Sequence, residues 1–151
     1  MKKIILTSSF YILALFSIAQ VKEVYMLVGT YTTDVHVYKF NFVTGESKFI
    51  SKISGIENPS FLAITKNGRY VYAVNENHKE KPGELSALSF DKTKGTLQFI
   101  NKVGTNGDDP CYVDVDSTGK NVVVANYSGG NLSVFKTNAD GSLQPSTQTI
   151  E

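Results

Sequence analysis

The sequence predicts an all-β fold, a β-propeller of four-stranded antiparallel blades. Three observations predict it. First, the chain repeats itself. Asn58-Pro59-Ser60-Phe61-Leu62 returns as Asp109-Pro110-Cys111-Tyr112-Val113, 51 residues on, and the same offset carries Gly68 onto Gly119, Arg69 onto Lys120 and Asn75 onto Asn126. A fainter earlier copy places Phe40, Gly45 and Phe49 a step of 50 before Phe90, Gly95 and Phe99. A period near 50 residues means stacked supersecondary units. Second, each unit divides into short apolar or alternating runs separated by Gly-containing turns, the pattern of tight antiparallel hairpins. Third, no stretch sustains a 3.6-residue period, which excludes a helical solenoid.

The units read as follows, with the four strands of a blade lettered A to D. In the first, residues 24–28 read as strand B, 36–40 as strand C and 48–53 as strand D, with no strand A ahead of them. In the second, the Asn58-Pro59 corner precedes a short strand A, the Asn67-Gly68 turn leads to strand B at 70–74, and strands C and D flank Lys94-Gly95. In the third, strand A is 112–115, strand B 121–125, strand C 132–135, and strand D lies near Leu143 after the Asp140-Gly141 turn. Val122-Val123-Val124 is a continuous apolar run, read as burial on both faces. The expected total is about eleven strands, in blades at approximately 24–54, 58–104 and 109–151. A missing first strand can be supplied in a ring by the other end of the chain.

The first nineteen residues are of another kind. Lys2-Lys3, an apolar stretch over 4–16 and Ser17-Ile18-Ala19 have the basic, apolar and small-residue regions of a secretory signal peptide. The apolar stretch is shorter than the roughly 20 residues a membrane span needs. The expectation is a signal peptide over 1–19 and an exported, periplasmic or extracellular chain from Gln20 onward, with no membrane association after cleavage.

Composition removes several functions. Lys and Arg number 15 against 14 Asp and Glu, so no basic surplus marks a nucleic-acid binder. One cysteine, Cys111, closes no internal disulfide, and His36 and His78 stand far from it and from each other, so no metal-ligand spacing exists. Asp114-Val115-Asp116 resembles the start of a calcium loop, but the twelfth position is Ala125 where a bidentate Glu is required. Ser128-Gly129-Gly130 lacks the first Gly of a nucleophile elbow, Asn126 standing in its place. No metal and no cofactor is expected.

The blocks NPSFLAITKNGRYVYAVNE, GELSALSFD, GTLQFINKV, DPCYVDVDSTGKNVVVANYSGG and LSVFKTNADGSL resemble the N-terminal blades of the propeller lactonases, the family of 6-phosphogluconolactonase and carboxy-muconate cyclase. The resemblance runs from Val24 to Glu151. It implies a seven-bladed propeller of which about three blades are present, an incomplete ring. It implies hydrolysis of a sugar lactone, by attack of water on the ring ester carbonyl with stabilisation of the oxyanion. The partners it implies are a small-molecule lactone or sugar and the remaining blades of the same propeller. The alternative is a non-catalytic exported propeller acting as a binding protein or scaffold. The His, Glu and Arg groups proposed for the family's site belong to later blades. The single Arg here, Arg69, lies at the opposite end, so the resemblance assigns no catalytic residue.

In an up-and-down meander the D-to-A and B-to-C connections share one end, and the A-to-B and C-to-D turns share the other. The first end is the more polar and is the expected channel mouth. It gives the candidate substrate-binding residues Asn75, Glu76, Asp108, Asp109, Asn126 and Tyr127. Asn75 and Asn126 suit either substrate hydrogen bonding or a bond to backbone at a strand end. Glu76 suits a general acid or base, or a solvated loop. Asp108 and Asp109 suit a turn or the orientation of a ligand, and Tyr127 suits contact with a sugar ring or packing over Gly129-Gly130.

Overall fold

A computed structural model describes residues 22–77 and 82–151. The segment 1–19, expected to be a signal peptide, and His78 lie outside them. The described residues form eleven strands in three sheets, with no helix among them. The first sheet holds β1 (Glu23–Gly29), β2 (Asp34–Asn41) and β3 (Ser47–Ser54). The second holds β4 (Leu62–Ile64), β5 (Tyr70–Asn75), β6 (Glu84–Asp91) and β7 (Thr96–Gly104). The third holds β8 (Pro110–Val115), β9 (Asn121–Asn126), β10 (Asn131–Lys136) and β11 (Gln148–Ile150). Each strand pairs antiparallel with its sequence neighbour, so each sheet is a simple meander.

The repeat is visible in the backbone as well as in the letters. Strand D of the first sheet carries a bulge at Ile50, opposite Val37 and Tyr38, and strand D of the second carries one at Ile100, opposite Ala87 and Leu88. The A-to-B turns of the second and third sheets both pass through a left-handed glycine, Gly68 at φ 64 and Gly119 at φ 72. A side chain at either position is disfavoured by the clash of Cβ with the backbone.

Alternation along the strands builds two cores. Val35 and Val37 of the first sheet meet Ile56, Val71, Ala73, Leu88 and Leu97. The opposite face of the second sheet, with Tyr72, Val74, Leu85 and Ala87, meets Val113, Val122, Val124, Phe135 and Leu143 of the third. The middle sheet is therefore covered on both sides, and its strand β5 is fully buried from Val71 to Asn75. Among the described residues the outer sheets are covered on one side. In β9 this overturns the expectation of two buried faces: Val122 and Val124 are buried, whereas Val123 is exposed.

Strand D of the third sheet also differs from expectation. Leu143 makes only an isolated bridge to Thr137, and the strand forms later, as β11. Pro145 stands two residues beyond Leu143, where the second unit has Phe99 two beyond Leu97. Proline has no N–H to give a ladder, so pairing cannot run on. The segment instead docks sideways on the second sheet. Leu143 is buried between the sheets, Asn101 exchanges two hydrogen bonds with its backbone at 2.8 and 2.9 Å, and the Tyr72 hydroxyl donates to the Gly141 carbonyl at 3.2 Å.

Burial pushes the Tyr72 phenol up to about 12 from its ordinary value of 10.0. The folded state thus holds the neutral phenol more firmly than the unfolded state does. That contribution is whole below pH 10, and is lost as pH rises through the folded value near 12. Urea midpoints should fall across this window more steeply for the wild type than for Tyr72→Phe, which has nothing to ionise there. Parallel curves would show that Tyr72 ionises freely in the folded chain.

Candidate functional site

The loops between sheets are stitched together at the end where the D-to-A and B-to-C connections meet. The connection 55–59 bonds backward to the first B-to-C loop, Ile56 N donating to Thr33 O at 3.0 Å and Asn58 N to Thr32 O at 2.7 Å. It bonds forward to the second, with Glu76 N donating to Asn58 O at 3.3 Å and the Asn58 side-chain amide donating to Glu76 O at 2.8 Å. The connection 105–109 repeats this. Thr105 N donates to Gly83 O at 2.8 Å behind it, and Tyr127 N donates to Asp109 O at 2.9 Å ahead of it. Asn58 and Asp109, each preceding a proline, both take a positive φ, of 39 and 51. Asn and Asp tolerate that region better than other side-chain-bearing residues.

The six candidates divide into supports and exposed groups. Asn75 is buried, donates to Glu57 O at 2.8 Å and accepts from the Ser86 hydroxyl at 2.7 Å. Asn126 is buried one unit on, and its amide reaches Asn131 Oδ1 at 2.7 Å and the Ser133 hydroxyl at 3.1 Å. Asn75 braces backbone through Glu57 O, whereas Asn126 reaches backbone only at Thr105 O, 3.5 Å away, and keeps its Oδ1 unpartnered. The Tyr127 side chain is 81% exposed. Asp108 is exposed, its carbonyl accepting from Gly129 N at 3.2 Å. Asp109 is half-buried, and one carboxylate oxygen accepts from the Ser128 hydroxyl. Glu76 is half-buried rather than solvated.

One participant escapes the sequence repeat. His36, Ser86 and Ser133 are equivalent in strand C, and pair with Val28, Ala73 and Val124. Two residues on from those partners stand Thr30, Asn75 and Asn126, so Tyr31, Glu76 and Tyr127 occupy one position in three successive loops. Tyr31 lies only 45 residues before Glu76, so the offset of 51 passes over it. The Tyr31 hydroxyl hydrogen-bonds the Glu76 carboxylate, and that negative charge is the first cause raising the Tyr31 phenol above its usual range. Cys111, half-buried at the bulge that opens β8, completes a small group drawn from three blades.

Four buried side-chain atoms at this end have no hydrogen-bond partner: Ser60 Oγ, Glu76 Oε2, Asp109 Oδ1 and Asn126 Oδ1. Buried polar atoms are rarely left unpaired, and these four lie in loops or at strand ends of the same end of the sheets. No group of three or more His, Cys, Asp or Glu suited to a metal is present among the described residues.

Three successive four-stranded meander units, the first with three strands described, stacked with their polar loops at one end, define part of a β-propeller. The particular family follows from comparison. Residues 25–151 match the family described as "Lactonase, 7-bladed beta-propeller", and the chain belongs to it. It is 34% identical over 124 residues to a 6-phosphogluconolactonase of Formosa agariphila, a match covering 79% of this chain and 35% of that one. Among solved structures it resembles a provisionally assigned 6-phosphogluconolactonase of Bacteroides fragilis, at 42% identity and TM-score 0.79, over 88% of this chain and 37% of the other. It also resembles the periplasmic gluconolactonase of Pseudomonas aeruginosa, at 34% identity and TM-score 0.76, over 83% and 38%. The chain spans about a third of the length of the curated relatives it matches.

Proposed function

We propose that this chain supplies three blades of an exported seven-bladed propeller that hydrolyses a sugar lactone. The observation that carries the reading is the cluster of unpartnered buried polar atoms at the mouth, Ser60 Oγ, Glu76 Oε2, Asp109 Oδ1 and Asn126 Oδ1, in a chain of the lactonase family. A lactone offers hydroxyls and a ring ester to such a set. Glu76 and Tyr31 stand where they can contact the sugar, and Tyr127 offers a ring for it to lie against. Hydrolysis joins water to the ester carbonyl and breaks the ring C–O bond, and the developing oxyanion needs donors or cations from the blades opposite. An exported chain meets little sugar phosphate, and the Pseudomonas aeruginosa relative is a periplasmic gluconolactonase, so an unphosphorylated lactone is the proposed substrate.

The test compares gluconolactone hydrolysis with its spontaneous rate, for this chain alone and for the seven-bladed protein that contains it. The chain alone should give no acceleration, because a partial channel holds a substrate from one side only and does not exclude water. The complete ring should accelerate, and Glu76→Gln should raise its KM. Absence of turnover in the complete ring with either the free or the 6-phosphorylated lactone would end the lactonase reading. Turnover by the chain alone, lost on changing Glu76 or Tyr127, would move the whole site into these blades.

A further inference from the structure

The end opposite the mouth holds a cleft of about 510 Å³ between the second and third sheets, and its chemistry is different. Arg69, Lys120 and Lys136 line it, with no Asp or Glu among the lining residues. The recurrence of the repeat explains two of them. Arg69 follows Gly68 and Lys120 follows Gly119, so successive A-to-B turns deliver a cation to the same height on neighbouring sheets. The far wall is the sideways excursion of the third unit, held in place by the Tyr70 hydroxyl donating to Ala139 O at 3.0 Å. Thr118, Thr137 and Asn138 line it too, but their side chains donate within the chain, to Asp116, to Gly119 O at 2.7 Å and to the Ser142 hydroxyl at 2.8 Å, so the cations carry the site.

The carboxylates of the adjoining turns stay ionised but are held by neutral donors of their own turns rather than paired with these cations. Asp116 is taken up by its own turn: it accepts from the Asn121 side-chain amide at 2.6 Å, from Lys120 N at 2.9 Å and from the Thr118 hydroxyl at 3.0 Å. Asp140 accepts from the Ser142 hydroxyl at 2.7 Å and from Ser142 N at 3.0 Å. Lys136 reaches only the neutral Asn121 Oδ1, at 2.6 Å. Among the described residues none of the three cations forms an ion pair. Three unpaired cations facing one concavity favour an anion. A guanidinium fork beside two ammonium groups suits the several oxygens of a tetrahedral oxyanion better than a single carboxylate. The cleft is larger than such an ion, and falls in the size range of sites for small molecules.

We propose that this cleft is a second binding site, separate from the mouth, that takes a small molecule carrying a phosphate or sulfate group. The group sits between Arg69, Lys120 and Lys136, and its carrier lies toward Tyr70 and Ala139.

Equilibrium dialysis of the full chain against radiolabelled inorganic phosphate in low-salt buffer tests this, and counts bound label whatever the state of association of the protein. The expected result is saturable binding of one phosphate per chain. Sulfate and glycerol 3-phosphate should displace the label, whereas glycerol, and chloride at matched ionic strength, should not. Arg69→Ala combined with Lys120→Ala should lower the affinity at least tenfold. Both residues are exposed, so the fold should persist, and a far-ultraviolet spectrum unchanged from wild type would verify it. Lys22→Ala combined with Lys48→Ala, the same charge change on the first sheet, should leave binding unaltered. Unsaturable uptake, displacement by chloride as effective as that by sulfate, or an unchanged affinity in the Arg69/Lys120 variant would each overturn the proposal. None of these outcomes depends on lactone hydrolysis.

Discussion

Replacing Tyr72 with alanine should remove about 3–5 kcal/mol of stability, the usual cost of deleting a large buried aromatic side chain. Tyr72 has no exposed surface and packs among Val74, Leu85, Val122, Val124 and Phe135, so it belongs to the seam between the second and third sheets rather than to one blade. Its hydroxyl also ties down Gly141. Deleting the ring leaves a cavity that the flanking strands cannot close, because each is held by ladder bonds on both sides. A loss of that size is a large part of the roughly 5–15 kcal/mol that holds a typical domain together. Tyr72→Phe keeps the packing, loses one hydrogen bond, and should cost about 1 kcal/mol. Urea denaturation of the three proteins measures both steps. If Tyr72→Ala cost no more than Tyr72→Phe, the seam between the blades would not be packed as described.

The same seam shows what the sequence could and could not disclose. The strands were legible because turn glycines and apolar runs are local signals, and the repeat fixed which runs correspond. What a run faces is not local. Val71-Tyr72-Ala73 and Val122-Val123-Val124 read alike, yet the first is sealed between two sheets and Val123 of the second is exposed, because only the first has a blade on either side. Strand D of the third unit was misplaced because Gly141-Ser142-Leu143-Gln144 copies Gly95-Thr96-Leu97-Gln98, and the copy hid the effect of Pro145. At the mouth, topology alone located the loops. It did not separate Asn75, whose amide is fully engaged with Glu57 O and Ser86, from Glu76 and Asn126, which each keep an unpartnered oxygen. Tyr31 was passed over because its loop is of another length, so a fixed offset missed it. The basic cleft needs two neighbouring sheets in place, since Arg69 and Lys136 are far apart in sequence and meet only across a seam.

The outer faces of the first and third sheets should make this chain self-associate in solution. On the third sheet Tyr112, Val123, Leu132 and Ile150 share one face, and the first three border a groove of about 380 Å³ beside Ala125. On the first, His36, Tyr38 and Phe49 form an edge-on aromatic cluster, Phe40 and Phe42 form another, and Phe49 and Phe42 are largely exposed. Strand β1 adds an unpaired edge, since it bonds only to β2 among the described residues. Contiguous apolar faces and open strand edges are the two surfaces that soluble proteins ordinarily cover. Neighbouring blades hold one another, so local structure should persist while the flanks stick. Analytical ultracentrifugation should show the mean mass rising with concentration, and melting should shift to higher temperature in parallel, because association favours the folded form. Val123→Lys together with Leu132→Lys places two charges on the third sheet's flank without touching either buried core, and should weaken the association strongly. A compact monomer at every concentration, with a single concentration-independent melting transition, would mean that these faces are covered within the chain itself, and that the open arrangement of three sheets is not the one the protein adopts.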